Sequence, residues 1–110
     1  MGYVSRYSAD APDRATVDAM TGPVVLEFGT DWCGHCQAAQ PGIKAAMADY
    51  PDLRHVKVED GRGRRLGRSF GVKLWPTLVF LRDGVEVARL VRPTAAVPVR
   101  EALAEVHSAT

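Results

Sequence analysis

Val24-Val25-Leu26-Glu27-Phe28 is apolar at every position but Glu27, and it reads as a strand buried on both faces. Ahead of it, the segment Tyr3–Tyr7 predicts an edge strand. Asp10 is placed to cap a helix with Pro12 in its first turn, ending near Thr21-Gly22-Pro23. Residues from Cys33 to about Asp49 predict a helix, interrupted and kinked at Pro41-Gly42. Leu53–Glu59 alternates and sets Val56 and Val58 on one face of a strand; Gly61–Ser69 reads as a short basic helix. The clearest hairpin joins Thr77–Leu81 to Val85–Val91 through Asp83-Gly84. Ala95–His107 closes the pattern as an amphipathic helix, with Val99, Leu103 and Val106 on its inner side. The predicted order β-α-β-α-β-α-β-β-α implies an α/β sandwich with a mixed central sheet.

At 110 residues the chain suits one domain, 1–110, with a core that needs no disulfide staple. Met1 to Ala15 carries Arg6, Asp10, Asp13 and Arg14 and no continuous apolar core, so no export signal is read there and a cytoplasmic location is expected. The apolar runs are too short to span a bilayer, and a net charge of +1 gives no bulk signal for nucleic acid or membrane. Charge is nevertheless uneven: residues 1–50 hold three basic and six acidic side chains, residues 51–110 eleven and seven. Arg62, Arg64, Arg65 and Arg68 concentrate the excess. Without interleaved aromatics they read as a solvated helix face, with a docking surface for acidic partner proteins as the alternative.

The only two cysteines lie in Trp32-Cys33-Gly34-His35-Cys36, directly after the buried strand. Neither has a partner elsewhere in the monomer, and such a pair in a cytosolic setting points to redox or metal chemistry rather than a scaffold bridge. A helix beginning near Cys33 puts the first sulfur among unpaired N–H groups at the positive end of the helix dipole. Cys33 is therefore the expected nucleophile and Cys36, one turn in, the resolving thiol. His35 beside Cys33 is expected to lower the thiol pKa further, from about 8.5 into the range of roughly 3.5–7.5. A fall to about 6 raises the thiolate fraction at neutral pH roughly 30-fold but cuts intrinsic nucleophilicity roughly 13-fold, so attack gains only about twofold. The reduced form gains more, about 1.4 kcal/mol or about 30 mV, which makes the pair more oxidising. Zinc would need four ligands; His55 and His107 have no metal-ligand spacing to the cysteines and read as surface residues, so no metal is expected.

These residues resemble the thioredoxin superfamily over most of the chain. Val25-Leu26-Glu27-Phe28 before Trp32-Cys33-Gly34-His35-Cys36 is similar to the strand entering that active site. Gly71-Val72-Lys73-Leu74-Trp75-Pro76-Thr77 followed by Asp83-Gly84 is similar to its cis-proline segment and hairpin. The central Gly34-His35 is similar to protein disulfide isomerase sites. The resemblance implies the thioredoxin fold, a three-layer α/β/α sandwich with a mixed central β-sheet. It implies a protein-disulfide reductase with no cofactor, acting as a monomer on protein disulfides and recycled by a thioredoxin-reductase-type flavoenzyme. An oxidant or isomerase, or a non-catalytic adaptor, are the alternatives.

Further roles follow from the resemblance. Glu27 falls on the family's buried acid; burial makes a carboxylate costly unless its pKa rises, and a raised pKa suits a proton acceptor for Cys36. Lys57 falls near the lysine that interacts with that acid. Pro76 is expected to be cis, against the base rate of about 5–6%, exposing the Trp75 backbone to an extended substrate. Trp32, Gly34, Trp75, Pro76 and Arg92 form the expected substrate contacts. Three departures stand out: Gly29 where an aromatic residue is usual, opening space near the site; the bulk of Trp75; and Arg92 about where a glycine is frequent. They imply a narrower or different partner set.

Overall fold

The computed structural model describes residues 2–108. Eight elements follow one another: α1 (Arg14–Asp18), β1 (Pro23–Gly29), α2 (Gly34–Met47), β2 (Arg54–Glu59), α3 (Arg65–Ser69), β3 (Thr77–Arg82), β4 (Val85–Val91) and α4 (Ala96–Ser108). The sheet order is β2-β1-β3-β4, with β1 and β2 parallel and the other pairs antiparallel. Alternation along the strands divides the core in two. Val25, Leu78 and Phe80 pack under α2 and α4 with Ile43, Met47 and Leu103. Leu26, Phe28, Val79 and Leu81 pack on the other face with Val17, Leu66 and Phe70. The result is the expected three-layer sandwich.

The hairpin is built as expected: Asp83 and Gly84 both have positive φ, 52° and 78°, the left-handed pair that matches strand twist. Elsewhere the elements differ from the sequence reading. The first helix starts three residues later, because Asp13 rather than Asp10 caps it, its carboxylate accepting from Thr16 N–H at 2.8 Å. The second helix runs unbroken from Gly34 to Met47 through Pro41. Gly42 lets α2 approach α4 closely, since a Cβ there would lie 2.9 Å from the Ala95 backbone.

The expected edge strand at Tyr3–Tyr7 is absent. The segment instead touches β2 through two parallel bridges, Gly2 with Arg54 and Ser8 with Val58. Between the bridges lie five residues on one side and three on the other, so the segment bows away from β2 and cannot continue a ladder. Side chains satisfy its backbone instead: Val4 N–H donates to His55 Nδ1, Tyr7 N–H to Asp31 Oδ1, and Ser5 C=O accepts from Lys57 Nζ.

Leu103 is fully buried between α4 and the sheet. Leu103→Ala is expected to lower unfolding free energy by about 2–5 kcal/mol in urea titration, through lost contacts and a residual cavity. The reactivity of the cysteines should be unchanged, since the site lies at the other end of α2.

Candidate functional site

Cys33 is the N-cap of α2: its backbone is extended (φ −81°, ψ 123°) and its sulfur accepts from Cys36 N–H at 3.4 Å. Cys36, one turn on, is buried, whereas Cys33 is half-buried. The two thiols are free and differ in acidity. Partial burial pushes Cys33 up, but hydrogen bonds from the Cys36 thiol and from the Cys36 and His35 backbone N–H groups, with the Arg92 guanidinium nearby, bring it below its usual value. Cys36 is pushed up to about 11, chiefly by burial. The more accessible sulfur is the one whose pKa is lowered.

His35 acts on Cys33 here through its backbone. Its imidazole is exposed and makes no hydrogen bond among the described residues, so the polarising ring expected from sequence is replaced by a main-chain donor and Arg92. The Trp75–Pro76 bond is cis, as expected. Arg92 holds the loop beside it: its N–H donates to Pro76 C=O and its Nε to Trp75 C=O, both within 2.9 Å. It does so at φ 53°, a left-handed conformation that a glycine adopts without strain. Trp32 is 73% exposed and meets Trp75 edge-to-face, the rings 5.9 Å apart; Trp75 Nε1 donates to Asp60 Oδ2 at 2.9 Å. Trp32, Trp75 and Arg92 thus border the approach to Cys33, and Gly34 is exposed there with nothing near its missing Cβ.

Beneath Cys36 lies Glu27, fully buried in β1. Three donors reach its carboxylate: the Tyr7 hydroxyl and Gln40 Nε2 (2.9 Å) on Oε2, and His55 Nε2 (2.8 Å) on Oε1. Because His55 Nδ1 accepts from Val4 N–H at 2.9 Å, the imidazole proton sits on Nε2 and donates to the acid. Burial alone pushes Glu27 up, as read from sequence. The His55 hydrogen bond, the Lys57 charge and the Tyr7 hydrogen bond outweigh it, so the carboxyl lies below its ordinary range. The expected upward shift is therefore reversed. Lys57 makes no direct ion pair with Glu27: it donates to Gln40 Oε1 (2.7 Å) and Ser5 C=O (2.9 Å), and burial lowers its pKa.

His55, read from sequence as a surface residue, is only 5% exposed and supplies one of the acid's three partners. The alternation of β2 carries the signal: with Val56 and Val58 on one face, His55 and Lys57 share the other, in register with Val25 and Glu27. Tyr7 and Gln40 carried no such pattern. Tyr7 occupies the space at Gly29, where a Cβ would lie 2.5 Å from Cys36 Sγ and 2.7 Å from the Tyr7 hydroxyl oxygen. The opening expected at Gly29 is thus filled by a tyrosine from the N-terminal segment.

Comparison with known proteins agrees with this geometry. The family model described as Thioredoxin matches residues 8–105. A thioredoxin of Chlamydia muridarum is 35% identical over 71 residues, covering 64% of this chain and 70% of the relative. A protein disulfide-isomerase of Gallus gallus is 35% identical over 69 residues, covering 59% of this chain and 13% of its own length. The structure of thioredoxin 2 from Pseudomonas aeruginosa PAO1 in its reduced form superposes with a TM-score of 0.85 and 62% identity, covering 94% of this chain and 95% of that one.

Two measurements test these electrostatics. Arg92→Gly removes the guanidinium near Cys33, so ultraviolet thiolate titration should show a higher Cys33 pKa; Arg92→Lys, which keeps the charge, should move it less. Glu27 has a folded pKa below its ordinary 4.5, so its contribution to stability is present above that value and lost as pH falls through the folded one. The stability gap between the parent and Glu27→Gln should therefore be constant near neutrality and narrow progressively below pH 4.5.

Proposed function

The chain belongs to the thioredoxin family, a family of protein-disulfide reductases, and on that premise we propose that Cys33 attacks substrate disulfides and Cys36 resolves them. The protein is a thiol–disulfide oxidoreductase with a CXXC dithiol. The observation that supports this division of labour is the opposite displacement of the two thiols, Cys33 downward at the helix N-cap and Cys36 upward in the core.

The Cys33 thiolate attacks one sulfur of a substrate disulfide, forms the mixed disulfide and expels the other sulfur as a thiolate. Cys36 then loses its proton and attacks Cys33 Sγ. The second substrate sulfur leaves as a thiolate and is protonated, while the Cys33–Cys36 disulfide holds the two electron equivalents of oxidation. Trp32, Gly34, Trp75, Pro76 and Arg92 frame the substrate strand in this reading. Glu27 and its neighbours serve the resolving step, with Lys57 held on Gln40. The single domain works as a monomer in the cytoplasm, and a thioredoxin-reductase-type flavoenzyme returns it to the dithiol. No helix of the described residues is long and apolar enough to cross a membrane.

A second reading, an oxidant or isomerase, is favoured by one observation: Gly34-His35 between the cysteines, together with a Cys33 thiolate stabilised by its surroundings. Equilibration with glutathione separates the two. A potential near −270 mV, about that of thioredoxin, supports the reductant; one near −180 mV, about that of protein disulfide isomerase, supports the other. For the order of attack, Cys36→Ser should accumulate mixed disulfides through Cys33 and Cys33→Ser should not; trapping by Cys33→Ser alone reverses the assignment.

A further inference from the structure

Tyr7 has no part in the mechanism so far, yet its hydroxyl lies between the two groups that must exchange a proton. Glu27 directs its hydrogen bonds to Tyr7, Gln40 and His55, and none to sulfur. Cys36 Sγ and the Tyr7 hydroxyl oxygen border one space, 2.5 Å and 2.7 Å from where a Cβ on Gly29 would lie, so the hydroxyl stands between the acid and the sulfur. An ionised carboxylate only accepts, so the single hydroxyl proton of Tyr7 is committed to Glu27 Oε2. Once Cys33 is bonded to substrate sulfur it no longer takes the Cys36 thiol hydrogen bond, and the Tyr7 lone pairs become the neighbouring acceptor, which lines the groups up as S–H to O–H to carboxylate.

Two features make this arrangement specific. Gly29 is the only residue type that fits, since any side chain there would overlap both the Cys36 sulfur and the Tyr7 oxygen. A cavity of about 90 Å³ adjoins the chain, lined in part by Tyr7, Cys36, Thr30, Gln40 and Lys57. That volume suits two or three waters at about 30 Å³ each, and the Thr30 hydroxyl beside it has no protein partner.

We propose that Tyr7 is a catalytic proton carrier, passing the Cys36 proton to Glu27 as Cys36 closes on Cys33. This rests on Cys36 being the resolving thiol. Cys36 S–H gives its proton to the Tyr7 oxygen while the Tyr7 O–H proton moves to Glu27 Oε2, and the tyrosine ends neutral. The Cys36 electron pair forms the bond to Cys33 Sγ, and the bond from Cys33 Sγ to the substrate sulfur breaks with its pair on the substrate. Glu27 then hands its proton back to the Tyr7 oxygen as the Tyr7 O–H proton passes into the polar cavity that Tyr7 lines, and the substrate thiolate takes one from solvent.

Stopped-flow reaction of the reduced chain with an aromatic disulfide reagent resolves two phases: attack, whose rate rises with reagent concentration, and resolution, which does not depend on it. Tyr7→Phe keeps the ring and removes the carrier. Resolution should slow about tenfold or more relative to attack, within the range for lost general-base assistance. Glu27→Gln should slow it comparably, and the double variant should be no slower than the slower single one, because both cut the same path. Multiplying effects, or a Tyr7→Phe resolution rate within about twofold of the parent, would overturn the proposal. Should Tyr7→Phe fail to fold, the parent alone decides: a bowed dependence of the resolution rate on deuterium content marks two protons in flight, and a straight one overturns the carrier. A parent with no reagent-independent phase overturns the assignment of Cys36 itself.

Discussion

A carboxylate in the middle of a buried strand is the constraint on which the functional half of this molecule turns. Glu27 sits where the pattern of β1 calls for an apolar residue, and an isolated charge there would cost several kcal/mol after relaxation. The neighbouring chain is arranged around it. His55 and Lys57 occupy the face of β2 that would otherwise continue the apolar core, and Gln40 on α2 joins them: its amide nitrogen donates to Glu27 and its oxygen accepts from Lys57 and Tyr3. The N-terminal segment supplies Val4 N–H to orient His55, Ser5 C=O to hold Lys57 and the Tyr7 hydroxyl to reach the acid. Its failure to form a ladder with β2 follows directly, because its polar groups are turned to the network.

The asymmetry of the cysteines comes from the same division of the structure. Cys33 belongs to the surface, where a helix terminus and a guanidinium reach it; Cys36 belongs to the buried network, where charge is expensive. Arg92 occupies a left-handed backbone position that a glycine would adopt without strain, and in return brings a positive charge near Cys33 and a donor to the Trp75 carbonyl. Backbone comfort is exchanged there for electrostatics. The same guanidinium caps a carbonyl expected to be free for a substrate strand, so part of the binding edge is already occupied.

Much of this was legible in the chain because it depends on local rules. Cys33 at a strand-to-helix junction, the Asp83-Gly84 turn and the alternation of β2 all declare themselves within a few residues. What escaped was long-range. Tyr7 and Gly29 are far apart in sequence and become meaningful only when one fills the other's missing side chain. His55 looked like an isolated polar residue until its register beside β1 placed it next to Glu27. The direction of the Glu27 shift was misread for the same reason: burial can be inferred from one strand, whereas the groups that reverse its effect come from β2 and from the N-terminal segment. Helix starts failed on a smaller scale, where Asp10 and Asp13 compete for one cap and only the geometry of Thr16 decides.

Among the described residues two backbone bridges tie down the N-terminal segment, yet it carries three of the contacts that order the buried acid's surroundings. Segments so sparsely anchored open at a small fraction of the free energy needed to unfold a whole domain. Fraying here would admit bulk water to Glu27 and release Cys36 from its neighbour while leaving Cys33 capped on its helix. In the proposed cycle a low-energy local opening and the second chemical step fall on the same few residues, so that amide exchange along residues 2–8 reports on the readiness of a sulfur buried in the core.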